Sequence, residues 1–493
     1  MISNYLKVAF RSLKNQKVYS FLNVLGLTIG ISSAILIFLF INDELSYDKH
    51  HKKAVNIYRL NSGYHLPNSG PFEAYATSKP MVGEAIVKDY PEVVQMCRFN
   101  RLTNQMMELP TTQEIIFEEI WAADSNIFSM FTMPLIQGNP RLALDEPYTL
   151  VVTRNKARDL FGTEDVLSKT IFFPEDSLEF KITGVMENYP SSSHLKLDII
   201  TSIETLKSQN WRPNWWNFNF HTYLELAKNT NAANLENNIQ FISRRYIPEQ
   251  EDGSGYRQEY SLIPLTDIHL NSNLRAEMEA NSQLSYIYIF GIIGLFIVLI
   301  ASINYMNLAT ASSVKQAKEV GIRKVSGASK ADLFSRFMSE SLLTTIFSLA
   351  LSCLVIAITL PELNDLADKS ISLSVLLNPL VIFTILCLVF FVGLISGSYP
   401  SLYLSAIQPK ETLKGSFSSN KKGASLRKFL VIIQFTISIA LITGTIIVYN
   451  QLDYLRNIRL GFNKEQILVV PIKSNTDEFK LIQNKSKDLS FVL

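Results

Sequence analysis

Five separate apolar stretches, each close to the ~20 residues a helix needs to cross a bilayer, constrain this chain more than any other feature. They cover residues 21–41, 286–308, 341–360, 379–400 and 429–450. The first holds no charged side chain, and the second lies inside an uncharged stretch between Glu279 and Lys315. The fourth is expected to close at a Gly397-Ser398-Tyr399-Pro400 turn. In lipid the backbone must satisfy its own hydrogen bonds, so such stretches read as helices. The first reads as a retained helix. Its apolar core exceeds the ~7–15 residues of a leader peptide, and Ile41-Asn42-Asp43-Glu44-Leu45 is a poor cleavage site.

Lys and Arg collect on the cytoplasmic side of membrane proteins, which sets the orientation. Residues 1–20 carry Lys7, Arg11, Lys14 and Lys17 and no acid. The segment 311–336 carries Lys315, Lys318, Arg323, Lys324, Lys330 and Arg336 against Glu319 and Asp332. A linker at 401–428 carries Lys410, Lys414, Lys421, Lys422, Arg427 and Lys428 against Glu411. The loop after the third stretch is acidic instead, with Glu362, Asp365 and Asp368 against Lys369. This alternation predicts a polytopic α-helical membrane protein of five spans with its N-terminus inside. Residues 43–284 and 451–493 then lie outside, the former as a large mixed α/β extracytoplasmic domain. The expected location is a bacterial plasma (inner) membrane, with that domain in the periplasm. A net charge of +2 gives no general attraction to nucleic acid, and none is expected as a partner.

Within 43–284, the runs at 148–153 and 180–186 are rich in β-branched residues and read as strands, while 155–161 reads as a helix stopping at Gly162. Trp211, Trp215, Trp216, Phe218 and Phe220 form an aromatic cluster suited to core or membrane-edge packing, with a binding surface as the alternative. The six histidines, His50, His51, His65, His194, His221 and His269, show no metal-ligand spacing. Cys97, Cys353 and Cys387 are too few for a disulfide framework and are expected to be packing residues. Asn23, Asn304 and Asn307 lie near or in spans and suggest interhelical hydrogen bonds.

No phosphate-binding loop, nucleophile elbow, helical zinc motif or paired-Cys motif occurs. The spans hold almost no ionisable groups of the kind ion-coupled carriers place at the midplane. The chain therefore shows no energy source of its own, and no catalytic, cofactor-binding or metal-binding residue is expected.

The most distinctive segment is Val314-Lys315-Gln316-Ala317-Lys318-Glu319-Val320-Gly321-Ile322-Arg323-Lys324-Val325-Ser326-Gly327-Ala328-Ser329-Lys330. It begins as a basic helix continuing from the second span. Gly321 weakens that helix, Gly327 offers a turn, and Ser329 can cap a following helix with Asp332 in its first turn. A short helix lying across the membrane surface is the expectation. On charge alone it would be a loop contacting anionic lipid head groups.

The segment resembles the "AKEVGIRKVxGAS" signature of the FtsX/MacB-type ABC transporter permeases. Other parts agree in order. Residues 4–13 look like that family's cytoplasmic amphipathic lead-in helix, within 1–20, and 19–27 look like its first span. Asp43-Glu44-Leu45-Ser46-Tyr47-Asp48 resembles the exit into a MacB-like core domain. Residues 397–405 with Gln408-Pro409 resemble the end of its fourth span. The resemblance implies a permease that does not hydrolyse ATP. A cytoplasmic ABC ATPase dimer would bind the nucleotide and dock on the short cytoplasmic segment, driving the outer domain through the first two spans. The coupling residues carried over are Glu319, Gly321, Ile322, Arg323, Lys324, Gly327, Ala328 and Ser329. Glu319 would accept and Arg323 donate a charge-assisted hydrogen bond, and Gly321 and Gly327 would allow the bend and close approach. Membrane lipids and a second permease module, the same or a paralogous chain, are the other implied partners.

The family module has four spans, so the fifth, followed by 451–493, resembles the start of a second module and second extracytoplasmic domain. A tail of about 40 residues is short for an independent core, so truncation of a double-module chain is expected, with a tail packed on the first domain as the alternative. The leading function is export or extraction of a hydrophobic or peptidic envelope substrate. Regulation of an envelope hydrolase without transport, or membrane sensing, are the alternatives.

Overall fold

A computed structural model describes residues 17–65, 73–209, 211–246, 257–406 and 421–458. Five helices are long and apolar enough to cross a membrane. The first four are α1 (Lys17–Glu44), α9 (Leu284–Val325), α10 (Lys330–Ala367) and α11 (Pro379–Ala406). The fifth, α12 (Lys421–Asn457), belongs largely to a separate unit spanning residues 428–493. The expected lead-in helix at 4–13 and most of 451–493 lie outside the described residues.

Between α1 and α9 stands a mixed α/β domain. Its strands are β1 (Ile57–His65), β2 (Glu73–Tyr75), β3 (Val93–Glu108), β4 (Ile115–Ala123), β5 (Leu135–Gly138) and β6 (Thr149–Thr153). They continue as β7 (Thr170–Phe173), β8 (Leu178–Met186), β9 (Ile199–Ser202), β10 (Phe220–Leu226) and β11 (Arg257–Pro264). The intervening helices are α2 (Pro80–Asp89), α3 (Ile127–Met130), α4 (Arg154–Phe161), α5 (Ile203–Ser208), α6 (Ala232–Ile239), α7 (Ile242–Tyr246) and α8 (Ile268–Asn271). One sheet runs β11-β1-β10-β3-β4-β9-β6-β8-β5, with β2 on β1 and β7 bridging β3 and β8. Pairing is antiparallel except at β4–β9 and β6–β8. The two strand runs read from the sequence fall in β6 and β8. The helix at 155–161 is α4, capped by the Thr153 side chain accepting from the Lys156 N–H and ended by Gly162 in the left-handed region at φ +70°.

Hydrophobic clusters fill this domain around Phe99, Phe131 and Tyr223, around Val152 and Ile182, and around Leu60 and Ile86. The aromatic cluster divides among different environments. Phe220 is fully buried with Trp211 packed on it at 5.1 Å, and Trp215 stacks on Tyr246 at 5.4 Å. Phe218 is half-buried beside Tyr64, and Trp216 is 65% exposed. The cysteines divide too: Cys97 is in the core, but Cys353 faces outward from α10, where lipid suits an apolar thiol as well as a core does.

In the membrane, α1 packs on α9 and α10, and α11 packs on α9 and α10. The backbones meet closely at small residues. A methyl group on Gly30 would stand 2.5 Å from Ala301 Cβ, and one on Gly397 would stand 2.7 Å from Ser341 Cβ. Hydroxyl groups supply interhelical hydrogen bonds in this bundle, whereas Asn23 does not. Neither amide atom of Asn23 meets a partner on another helix. Ser352 Oγ instead donates to the Thr28 carbonyl at 3.0 Å and Ser341 Oγ to the Gly393 carbonyl at 3.0 Å.

Candidate functional site

The predicted coupling segment forms the tip of a helical hairpin. The helix α9 runs unbroken through Gly321, and the helix begun at Ser329 continues directly into the third span as α10. The short helix expected across the membrane surface is therefore absent, and so is the bend at Gly321. A helix-interior glycine costs only about 1 kcal/mol. Here Val320 is fully buried in a cluster with Leu333, Phe337 and Leu404, and Gly321 is buried beside it. That packing outweighs the glycine penalty. The fourth span departs likewise: α11 continues through Pro400 to Ala406 instead of turning at 397–400, and Leu404 supplies the packing.

The turn itself follows from local chemistry. Gly327 adopts φ +96°, the Gly327 N–H donates to the Lys324 carbonyl at 3.1 Å, and the Ala328 N–H donates to the Arg323 carbonyl at 3.0 Å. This 6→1 and 5→2 pair satisfies the carbonyls at the end of α9. On the other side, Ser329 Oγ accepts from the Asp332 N–H at 3.1 Å, and Asp332 Oδ2 accepts from the Ser329 N–H at 3.0 Å. Both helix ends are closed by reciprocal caps, so the tip is a preset shape.

Electrostatics fix the hairpin's flanks. Glu319 Oε1 lies 3.0 Å from Arg323 Nη2 and 2.8 Å from Arg336 Nη2. Lys324 Nζ donates to the Ser405 carbonyl at 2.7 Å, tying the hairpin to the end of α11. Glu319 and Lys324 thus hold the segment together, and Arg323 is shared between Glu319 and the surface. Ile322 and Val325 stand 54% and 68% exposed. Arg323, Gly327 and Ser329 are exposed with them, and Ala328 is half-buried. Sequence reasoning missed Val325 and Arg336. Helical spacing was the available signal: Ile322 and Val325 are three apart, hence on one face.

At the opposite ends of the same helices lies a second polar cluster. Lys369, between α10 and α11, places Nζ 2.6 Å from Glu44 Oε1, 3.2 Å from Asp43 Oδ2 and 2.9 Å from the Tyr47 hydroxyl. His269 Nε2 lies 3.2 Å from Glu44 Oε2, and its ring stacks parallel on Tyr47 at 3.4 Å. Burial alone would lower the Lys369 ammonium, but the Glu44 and Tyr47 hydrogen bonds hold it above the ordinary lysine range. This knot joins the exit of α1, the last part of the outer domain and the α10–α11 loop.

His194 is held inside the domain by two polar partners. His194 Nδ1 lies 2.8 Å from Asp48 Oδ2, and its Nε2 is 2.7 Å from the Tyr223 hydroxyl. Among the described residues, no three or more His, Cys, Asp or Glu side chains are placed to hold a metal.

Comparison with known proteins matches this arrangement in two parts. Residues 20–242 match the MacB-like periplasmic core domain, and residues 291–409 match the FtsX-like permease C-terminal domain. The chain belongs to the FtsX/MacB-type ABC transporter permeases. It is 22% identical to the ABC transporter permease YvrN of Bacillus subtilis over 423 residues, covering 83% of this chain and 99% of that one. It is 25% identical over 357 residues to the macrolide export ATP-binding/permease protein MacB of Wolinella succinogenes, covering 69% of this chain and 50% of the relative. The chain thus matches about half the length of that MacB relative. A solved domain of a permease protein from Porphyromonas gingivalis is 21% identical, with a TM-score of 0.40, covering 48% of this chain and 98% of that one. This permease is a multi-pass membrane protein with its α/β domain outside the cytoplasm. The hairpin lies at the other end of the spans from that domain.

Proposed function

We propose that this permease couples ATP hydrolysis on a separate cytoplasmic ABC ATPase dimer to movement of its outer domain. The cargo class is a hydrophobic or peptidic envelope molecule, exported or extracted from a bacterial inner membrane, with a second permease module completing the assembly. One observation carries this reading. A doubly capped hairpin exposes Ile322 and Val325 at its tip, and its first helix continues without a break to Leu284 at the edge of the outer domain. Two exposed apolar residues beside an arginine suit a small desolvated contact on a partner. The MacB relative is named an ATP-binding/permease protein, which supports ATP-driven work by this fold.

The test is affinity purification from native membranes in mild detergent, with the co-purifying ATPase assayed for turnover. An ABC ATPase is expected with the unaltered chain. Ile322→Glu or Val325→Glu should lower its recovery and stimulation about tenfold or more, the loss expected for a central contact, while membrane insertion persists. Undiminished coupling in both variants, or no ATPase with the unaltered chain, would overturn the proposal.

A further inference from the structure

In the loop before β10, aromatic and amide residues alternate as Trp216-Asn217-Phe218-Asn219-Phe220. The fold pins the loop that carries them. Asn214 Oδ1 accepts the Trp216 and Asn217 N–H groups, both at 2.9 Å. Arg212 Nη1 donates to the Lys207 carbonyl at 2.7 Å and to the Trp211 carbonyl at 3.0 Å. Trp211 and Trp215 anchor the loop on Phe220 and Tyr246. Trp216 alone of these three tryptophans is left exposed. A large ring held in water on a preset backbone suits a ligand contact, because little freedom is lost when it is covered.

The same loop forms part of the wall of a cavity of about 580 Å³, lined by Phe218 and Asn219 with Tyr64 and Tyr75. That volume is within the range of small-molecule sites, roughly 300–1,000 Å³. Tyr64 meets Phe218 edge-on at 4.6 Å and Tyr75 at 5.9 Å, so this wall is aromatic. Trp216 stands two residues before Phe218, hence within about 7 Å of it along the chain.

The polar groups decide the ligand class. The charged residues lining the cavity are paired within the protein: Glu73 with Arg275, Glu277 with the buried Arg59, and Arg101 with Glu119. A charged ligand would compete with pairs already made. The groups left over are neutral. Asn217 and Asn219 are exposed, and neither side-chain amide has a partner among the described residues. An amide donates and accepts without carrying charge, as a hydroxyl does. The negative face of an aromatic ring attracts the weakly positive hydrogens of C–H groups. A sugar ring offers both features, C–H faces and a fringe of hydroxyls.

We propose that this loop and cavity bind an uncharged oligosaccharide, its ring faces laid on Trp216 and the aromatic wall and its hydroxyls bonded to the Asn217 and Asn219 amides. Such binding needs neither an ATPase nor cargo movement, so it goes beyond the permease reading and fails separately from it.

The test uses the full chain in lipid nanodiscs, with empty nanodiscs subtracted, and saturation-transfer NMR of the neutral sugar tetra-N-acetylchitotetraose. Saturable binding is expected. Trp216→Ala should weaken it about tenfold, the loss typical of a central aromatic contact. Asn219→Ala should weaken it about fivefold, the worth of one ordinary hydrogen bond. Both positions are exposed, so the fold should be kept. Phe117→Ala, which removes an exposed aromatic ring from β4, should leave binding unchanged. No saturable binding above empty nanodiscs would overturn the proposal. So would binding that survives both loop variants, or that Phe117→Ala weakens as much as they do. A protein contact at Trp216 would show instead as no sugar binding with a co-purifying envelope protein lost in Trp216→Ala, and that result too would overturn it.

Discussion

His51 lies just beyond the end of α1, almost fully buried, and its Nδ1 accepts the Thr132 N–H at 3.1 Å. Burial, with His50 beside it, pushes the imidazole down to about 3. In the unfolded chain it protonates near the ordinary value of about 6.5. Between those values the unfolded state holds more protons, so stability from this group is complete above about pH 6.5 and declines as pH falls toward 3. At pH 5 the loss is roughly 2 kcal/mol. Asp48, His50 and His194 are the titratable groups around it. The urea midpoint of the outer domain should therefore be lower at pH 5 than at pH 7.5. His51→Gln, which keeps an acceptor toward Thr132, should flatten that dependence, and an unchanged slope would remove His51 as its source. At this scale, legibility follows sequence distance. Gly327, Ser329 and Asp332 announce their turn and cap because their partners are at most five residues away. The role of His51 stayed hidden because Thr132 is 81 positions on.

Elements show the same division. The spans were readable because an apolar run near 20 residues has few alternatives in any solvent. Where their helices stop was not. Continuity of α9 past Gly321 depends on Val320 packing against Leu333, Phe337 and Leu404, contacts between three different helices. The Lys369 knot was equally silent, since Lys369 and Glu44 come together only when α1 and the α10–α11 loop share one end of the bundle. It carries a prediction of its own. Lys369→Met would leave Glu44 and Asp43 nearly buried without their cation, at a cost of roughly 3 kcal/mol. Its thermal unfolding should shift down, and protease should cut the segment at 265–284 more readily. Lys369→Arg should restore most of both. A Lys369→Met protein that melts and digests like the unaltered chain would show the knot to be incidental.

For the whole molecule, what matters is that one helix belongs to both ends. With 42 residues at 1.5 Å each, α9 is about 63 Å long, roughly twice the ~30 Å hydrocarbon thickness. A displacement at the Ile322–Val325 tip can reach the outer domain only while α9 stays stiff. Ala311 offers a place to test this, since it is exposed, lies at the end of the membrane-crossing part and stands well before the tip. Proline there removes one backbone hydrogen bond and clashes with the carbonyl of Asn307, kinking the helix for about 3 kcal/mol. The caps at Gly327 and Ser329 and the Lys369 knot are distant from it and should persist. Ala311→Pro should thus keep the ATPase bound at the hairpin while nucleotide no longer changes spin-label distances measured from the outer domain to a lipid-plane reference. Ala311→Gly, which softens the helix by only about 1 kcal/mol, should give an intermediate response. If Ala311→Pro transmits as well as the unaltered chain, α9 is not the transmitting rod, and the connection must run through α1 and the knot around Lys369.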